Sequence, residues 1–215
     1  MTSDLIKGVY AITPERSVKW TPDAIVDCVA AALDGGVTLF QCRQKNWPLV
    51  ELIEFVGELN ALCEKYGASL VLNDVQSQVY AEFQGSAIVG VHLGRTDEPV
   101  AQARTRLGYG CLIGASCYND IDLARQAAMA GASYIAFGAM YPSSTKPNAV
   151  RAGLELFQAA SGLGLPMVAI GGIGFAVMLG EAADGKVNGL VHGVPCKGGA
   201  RGGATANLRH GRQPA

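Results

Sequence analysis

The feature that most constrains the fold of this chain is a regular alternation of short apolar segments with helical segments. Seven short segments of nearly continuous apolar residues alternate with segments in which apolar residues recur at helical spacing. Strands that are apolar on both faces are buried on both sides, and strands separated by helices pair in parallel. The predicted strands cover residues 8–13, 37–43, 69–74, 87–94, 111–117, 134–140 and 166–173, and the predicted helices cover 21–33, 48–66, 76–83, 98–106, 120–130 and 150–160.

This alternation predicts an α/β fold, a single (β/α)8 TIM barrel, with an open doubly wound sheet as the alternative. The eighth unit is expected to be atypical, because residues 188–194 form only a degenerate strand pattern. We therefore expect residues 1–194 to form the catalytic barrel domain and residues 195–215 to form an atypical glycine-rich C-terminal tail. The tail is expected to be irregular, and a reading-frame change that replaced the original end is an equally open explanation.

Composition restricts the partners that the chain can have. The formal net charge is −1, so no global electrostatic attraction to nucleic acid or to an anionic membrane is expected. The first residues lack the basic and apolar pattern of a signal peptide, and no run of 18 apolar residues occurs. The six cysteines form no CxxC pair, which favours reduced, packed thiols. We expect a cytoplasmic protein that binds small molecules, and the sequence allows a homo-oligomer.

Polar residues cluster where the predicted strands end. In parallel β/α folds the carboxyl ends of the strands meet at one edge, which is where ligands bind. The residues at these ends are Gln41, Arg43 and Lys45; Asn73 and Asp74; His92, Arg95 and Asp97; Ser116; Ser143, Thr145 and Lys146; and Gly171 and Gly172.

Three of these residues are cations, and together they predict a diphosphate site. Arg43 and Lys45 are alternate residues, so they point the same way if the strand geometry continues. Lys146 lies in a loop with three hydroxyl residues and two prolines, which suits an anionic ligand. The alternative is that Arg43 forms a structural ion pair and that the two lysines are solvated.

Two carboxylates, Asp74 and Asp97, follow neighbouring strands and suggest Mg²⁺ held by few protein ligands and by substrate oxygens. The alternative is that each caps the helix that follows. His92 lies among apolar residues, which favours a satisfied histidine near the core. No Ser–His–Asp or Cys–His arrangement is evident. The pair Gly171–Gly172 allows a phosphate to approach the backbone closely.

Seven stretches in family order carry a resemblance to a known family. They are YAIT (10–13), FQCRQK (40–45), LND (72–74), GVHLGRTD (90–97), IGASCYN (113–119), FGAMYPSSTKPNA (137–149) and VAIGGI (168–173). Over about the first four-fifths of the chain, this pattern resembles the thiamine-phosphate synthases, also called thiamine-phosphate pyrophosphorylases.

The resemblance implies a (β/α)8 barrel that uses Mg²⁺ to join an aminopyrimidine diphosphate to a thiazole phosphate, with release of pyrophosphate. It implies that Gln41 meets the pyrimidine and that Asp74 and Asp97 hold Mg²⁺. The thiazole phosphate would be received by Ser143, Thr145 and the Gly171–Gly172 pair. The diphosphate would be surrounded by Arg43, Lys45, Asn73, Ser116 and Lys146, of which we expect Arg43, Lys45, Ser116 and Lys146 to be catalytic.

The chain departs from the family pattern in two places near the site. Val75 stands where the family usually has arginine, and Arg95 stands where it usually has glutamine. Two rival functions remain open. A thiazole tautomerase of the same superfamily would be expected to carry a histidine where this chain has Cys117 and Tyr118. The second rival function is that of a non-catalytic phosphate-binding barrel.

Overall fold

The computed structural model describes residues 5–45, 47–74, 77–83, 86–141, 150–173 and 189–193. The strands are β1 (Gly8–Ile12), β2 (Leu39–Cys42), β3 (Ser69–Asn73), β4 (Ile88–Leu93), β5 (Leu112–Tyr118), β6 (Tyr134–Gly138), β7 (Met167–Ile170) and β8 (Gly189–Gly193). The helices are α1 (Pro22–Asp34), α2 (Leu49–Tyr66), α3 (Ser77–Glu82), α4 (Val100–Leu107), α5 (Ile121–Met129) and α6 (Glu155–Ala160), followed by a 3-10 turn at Ser161–Leu163.

The strands form a curled parallel sheet in which each strand pairs with the next one along the chain. The backbone of β8 pairs with both β7 and β1, so the sheet closes on itself. The α/β class is therefore confirmed, and the doubly wound alternative is wrong because its strand order would reverse within the sheet.

The complete eight-unit barrel stays a prediction. Residues 174–188 and 194–215, where helices would follow β7 and β8, lie outside the described part of the chain. The predicted irregular tail, 195–215, lies outside it as well.

Local sequence signals explain the start of α1 and the end of α2. Thr21 caps α1 by accepting a hydrogen bond from the Ala24 N–H, and Pro22 occupies the first helical turn, where its missing N–H costs nothing. Helix α2 ends at Gly67, whose φ of 63° is a conformation that glycine adopts readily.

Helix α6 begins later than the predicted residue 150. The Ala139 N–H donates to the Val150 carbonyl, and the Ala152 N–H donates to the Ala139 carbonyl. These bonds hold the backbone of residues 150–152 against the exit of β6. The segment is therefore not helical, and α6 begins at Glu155.

The described core has two parts. One lies between the sheet and the helices, where the apolar faces of α1, α2, α5 and α6 pack on the strands. The other fills the inside of the curled sheet, and it contains two fully buried tyrosines, Tyr10 and Tyr134. Their hydroxyl groups are polar atoms in an apolar interior, so they need hydrogen-bond partners.

The cysteines only partly match the sequence prediction. Cys42, Cys63, Cys111 and Cys117 are free and buried, as expected for packed thiols. Cys28 is disulfide-bonded, so the prediction of reduced thiols is wrong at this position. Among the described residues, every helix is too short or too polar to cross a membrane.

Candidate active site

The carboxyl ends of β2, β3 and β4 bring one arginine and one lysine close to two aspartates. Strand β2 ends at Cys42, so the strict alternation that would direct Arg43 and Lys45 to the same side does not continue. The Arg43 guanidinium pairs with Glu15 at 3.1 Å, whereas the Lys45 ammonium pairs with Asp74 at 3.1 Å. The two cations thus pair with different carboxylates, and both remain partly exposed.

The two predicted metal-binding carboxylates lie together, since the side chains of Asp74 and Asp97 share a hydrogen bond. The Gly94 N–H also donates to Asp97 Oδ2, at 2.5 Å. The proposed capping role is not seen for Asp97, because helix α4 has no side-chain cap at its first turn. Asp74 has a φ of 51°, which is uncommon for any residue other than glycine.

The carboxylate pair has an asymmetric charge state. Burial and the hydrogen bond with Asp74 raise the pKa of Asp97 above its usual 3.8. Burial opposes ionisation of Asp74 too, but its hydrogen bonds to Asp97 and Lys45 outweigh it and lower the pKa of Asp74. Because the two carboxylates lie this close together, a divalent cation that enters between them would be bound by both.

This donor set fits a hard divalent cation. It consists of carboxylate oxygens only, and no group of three or more histidine, cysteine, aspartate or glutamate side chains occurs among the described residues. Mg²⁺ commonly uses one or two carboxylates and completes its coordination with water and substrate oxygens. The residues present therefore suit Mg²⁺ that arrives with an anionic substrate.

Gln41 and Ser116 lie on opposite parts of the site and are joined through the interior of the sheet. The Gln41 Nε2 donates to the Tyr10 hydroxyl at 3.0 Å, and this hydroxyl lies 3.0 Å from that of Tyr134. His92 Nδ1 lies 2.9 Å from the Tyr134 hydroxyl, and His92 Nε2 lies 2.8 Å from Ser116 Oγ.

His92 is a buried, hydrogen-bonded histidine, as the sequence predicted. Burial lowers its pKa from 6.5 to about 4. The two tyrosines were not predicted as part of the site. Their positions in apolar strands indicate only packing, although a tyrosine on the inner face of a buried strand always needs a partner for its hydroxyl.

The remaining predicted residues fall in three different situations. Asn73 is the last residue of β3, directly before Asp74. Gly171 and Gly172 follow β7 with φ values of 93° and 66°. A Cβ atom on Gly171 would lie 2.9 Å from the Ala139 Cβ, so the close approach to β6 requires glycine there. Ser143, Thr145 and Lys146 lie outside the described residues.

The two departures from the family pattern are partly explained. Val75 lies outside the described residues. The Arg95 guanidinium stacks over the Tyr118 ring at 4.8 Å, and the Arg95 N–H donates to the Tyr118 hydroxyl. Arg95 thus connects the ends of β4 and β5, and it places a positive charge two residues before Asp97.

A cavity of about 630 Å³ opens beside this group of residues. Lys45 lines it together with the segment between β1 and α1, including Glu15, Arg16 and Ser17. Lys45 therefore contacts both the carboxylate pair and open space large enough for a small molecule.

Cations, paired carboxylates and amide or hydroxyl groups at the carboxyl ends of a curled parallel sheet define the class of this protein. It is an α/β protein whose strand ends carry the kinds of groups that bind anionic ligands and divalent cations.

Comparison with known proteins identifies the family. A family model described as thiamine monophosphate synthase matches residues 9–190. The thiamine-phosphate synthase of Chromobacterium violaceum is 45% identical over 86% of this chain and 88% of its own. That of Methylobacillus flagellatus is 46% identical over 78% of this chain and 77% of its own. A solved structure of thiamine phosphate pyrophosphorylase from Pyrococcus furiosus covers 89% of this chain and 87% of its own, with a TM-score of 0.71 and 29% identity.

The chain belongs to the thiamine monophosphate synthase family. It is therefore an enzyme of the transferase class.

Proposed function

We propose that this chain is a thiamine-phosphate synthase that uses the site described above. It condenses 4-amino-2-methyl-5-(diphosphooxymethyl)pyrimidine with a thiazole phosphate to give thiamine phosphate and pyrophosphate. The observation that carries the assignment of the site is the contact of Lys45 with the Asp74–Asp97 pair. It brings an ammonium group and two carboxylates together, which is what binding of a diphosphate with a divalent cation requires.

The diphosphate is bound by groups from several strand ends. Arg43 and Lys45 follow β2, Asn73 ends β3, and Ser116 lies on β5, so these donors approach from different sides. Lys146 is proposed as a further cation from the loop after β6. Both Arg43 and Lys45 are paired with carboxylates, and each can exchange this partner for a phosphate oxygen because their ion pairs are partly exposed.

Asp74 and Asp97 are proposed to hold Mg²⁺. When bound, Mg²⁺ supplies positive charge that neutralises the diphosphate oxygens. Mg²⁺ would favour the ionised form of Asp97, whose pKa is raised by burial and by Asp74, and Lys45 next to Asp74 would offset part of the negative charge of the pair.

The chemistry needs no protein nucleophile. The bond between the methylene carbon and the diphosphate oxygen breaks, and both electrons leave with pyrophosphate. The 4-amino group donates electrons into the ring and stabilises the cation that forms. The thiazole nitrogen then attacks the methylene carbon with its lone pair. The protein holds the two substrates in line and stabilises the charge that builds on the leaving group, through Arg43, Lys45, Ser116 and Lys146.

Gln41 is proposed to contact the pyrimidine, and Ser143, Thr145, Gly171 and Gly172 are proposed to receive the thiazole phosphate. Gly172 has a φ of 66° and is exposed, so its backbone is open to an anion. We also propose that residues 1–194 form a complete (β/α)8 catalytic domain followed by the 195–215 tail. Because both substrates are small water-soluble phosphates, a cytoplasmic location suits the reaction.

The thiazole tautomerase alternative is less well supported. That reaction needs a group that moves a proton at the end of β5. Cys117 is fully buried, and burial raises the pKa of its thiol to about 12. The Tyr118 hydroxyl accepts a hydrogen bond from the Arg95 N–H. The buried Cys117 thiol does not suit proton transfer near neutral pH, and the Arg95 guanidinium covers the Tyr118 ring.

A pair of lysine variants tests the proposed role of the site. Lys45→Gln removes the charge next to Asp74, and we expect kcat to fall by about 100- to 1,000-fold, as for the loss of other groups that stabilise developing charge. Lys65→Gln is the matched control, because Lys65 is an exposed residue near the end of α2. Equal kcat values for the two variants and the wild type would show that Lys45 does not act on the leaving group.

A further inference from the structure

Three buried residues form a continuous hydrogen-bonded path between the two predicted substrate contacts. We call Tyr10, Tyr134 and His92 the relay. The relay joins Gln41 on β2 to Ser116 on β5 through β1, β6 and β4, and each of its contacts is between 2.8 and 3.0 Å. The relay residues are 1%, 0% and 3% exposed, respectively.

The hydrogen atoms of the relay can be ordered in only two ways. Each tyrosine hydroxyl has one hydrogen, and a neutral imidazole has one N–H, so each member that accepts from one neighbour donates to the next. His92 is neutral here because it is buried and its side-chain partners are a phenol and an alcohol. If one bond reverses, every other bond must reverse with it, or a buried polar group loses its partner.

In the first order, hydrogen bonds run from Gln41 toward Ser116. Gln41 Nε2 donates to Tyr10, which donates to Tyr134, and Tyr134 donates to His92 Nδ1. The proton of His92 is then on Nε2 and is donated to Ser116 Oγ. This order leaves Gln41 Oε1 outside the relay as an acceptor, and it leaves the Ser116 hydroxyl hydrogen outside the relay as a donor.

In the second order, every bond is reversed. The Gln41 amide is flipped, so its Nε2 is the group outside the relay and acts as a donor. His92 carries its proton on Nδ1, and the hydroxyl hydrogen of Ser116 is used to donate to His92 Nε2. Ser116 then offers only lone pairs to a ligand.

The substrate of the proposed function matches only the first order. Its exocyclic amino group is a donor and requires an acceptor, while its diphosphate is an acceptor and requires a donor. The first order provides both groups at once, and the second order provides neither. Because the relay reverses as a unit, recognition at Gln41 and recognition at Ser116 are coupled.

We propose that Tyr10, Tyr134 and His92 are positioning residues that set this polarity, so that Gln41 Oε1 accepts from the amino group of the pyrimidine and Ser116 donates to the diphosphate. The inference rests on the proposed function for the identity of the substrate. It predicts selection of a 4-aminopyrimidine over a 4-oxopyrimidine, because an oxo group would face the Gln41 oxygen.

The backbone leaves room for this relay at one particular position. Gly114 on β5 pairs with Tyr134 in the sheet. A Cβ atom at residue 114 would lie 2.0 Å from Cζ and 2.3 Å from the hydroxyl oxygen of Tyr134. Only glycine therefore allows the Tyr134 side chain to reach both Tyr10 and His92.

The tautomer of His92 is the first test, and it is measured in the wild-type protein. The chain has three histidines, so the ¹⁵N signals of His92 can be assigned by their loss in His92→Gln. We expect the Nε2–H tautomer in the wild-type protein bound to Mg²⁺ and the 4-amino substrate. The Nδ1–H tautomer would overturn the proposal, whether or not the enzyme turns over.

Substrate discrimination is the second test. Tyr10→Phe removes the hydroxyl that holds Gln41 Nε2, so the amide becomes free to flip. We expect the preference for the 4-amino diphosphate over its 4-oxo analogue, measured by calorimetry, to fall about tenfold, the equivalent of one hydrogen bond. Tyr66→Phe is the matched control. It removes a hydroxyl at the end of α2 that donates to Asp34 at the end of α1. An unchanged preference in folded Tyr10→Phe would overturn the proposal.

Tyr134→Phe separates positioning from a merely structural role. It frees His92 Nδ1, so Ser116 is no longer kept as a donor. We expect kcat to fall by about 10- to 100-fold, as for other residues that orient a functional group, with an unchanged KM for the thiazole phosphate. Equal kcat in Tyr134→Phe and the wild type would contradict the relay. A wild-type protein with the Nε2–H tautomer but no turnover would instead contradict the proposed function.

Discussion

Asp97→Asn separates a metal-binding role of Asp97 from a purely structural one. Asp97 Oδ2 accepts from the Gly94 N–H, and the Asp97 side chain shares a hydrogen bond with Asp74. An asparagine keeps the shape of this side chain and removes its charge. Its oxygen can accept from Gly94, and its NH₂ group can donate to Asp74. We therefore expect the metal-free variant to be folded and about as stable as the wild type.

The same substitution should strongly weaken Mg²⁺ binding. Two unit charges 4 Å apart interact by about 4 kcal/mol at an effective dielectric constant of about 20. Water and the neutral amide oxygen replace part of the lost interaction, so we expect a net loss of about 2.7 kcal/mol, or about 100-fold in affinity. Calorimetric titration of Mg²⁺ in the presence of pyrophosphate, together with the Mg²⁺ dependence of turnover, measures this effect.

Asp122→Asn is the control for the loss of one carboxylate charge. Asp122 is exposed on α5, and its only described ion pair is with Arg125. If Asp97→Asn needs no more Mg²⁺ than Asp122→Asn for half-maximal turnover, Asp97 is not a metal ligand. The hydrogen bond to Gly94 would then be its main role.

Three further predictions concern the interior. Burial lowers the pKa of His92 from 6.5 to about 4. As pH drops from 6.5 to about 4, the unfolded chain therefore binds this proton before the folded protein does. The free energy of unfolding should fall by about 1.4 kcal/mol per pH unit over this range, and this contribution should be absent in His92→Gln. Arg104→Met leaves the carbonyls of Gly108, Cys111 and Gly131 without their buried donor. The free energy of unfolding, measured by urea denaturation, should fall by about 3–5 kcal/mol, against less than about 0.5 kcal/mol for Arg125→Met at an exposed position. Gly114→Ala should cost about 1–3 kcal/mol or more because it displaces Tyr134, whereas Gly110→Ala meets no atom within 4 Å and should be tolerated; thermal unfolding compares the two.

The strands and most helices could be predicted from the sequence because their signals are local. Apolar runs give the buried parallel strands, and residues such as Thr21, Pro22 and Gly67 mark the ends of helices directly. The start of α6 could not be predicted in this way. It depends on backbone hydrogen bonds between Ala139 and residues 150–152, which are distant partners that no periodicity reports.

The site could be predicted where residue type alone indicates chemistry. Cations and carboxylates at strand ends indicate an anion and a metal, and Lys45, Asp74 and Asp97 do lie together. Tyr10 and Tyr134 were missed because a tyrosine in an apolar strand indicates packing until its hydroxyl partner is known. The burial of Arg104, which lies outside the site, was not predicted for a related reason. A charged residue on a helix usually faces water, whereas this one turns inward to backbone carbonyls at the start of β5 and β6.

The central claim is that this site joins two phosphorylated substrates with loss of pyrophosphate. The most direct measurement is a turnover assay that quantifies thiamine phosphate and pyrophosphate from the wild-type protein with the pyrimidine diphosphate, the thiazole phosphate and Mg²⁺. We predict that the two products form in equal amounts, and that neither forms when one substrate or Mg²⁺ is omitted. Binding of both substrates without either product, or isomerisation of the thiazole phosphate alone, would contradict it.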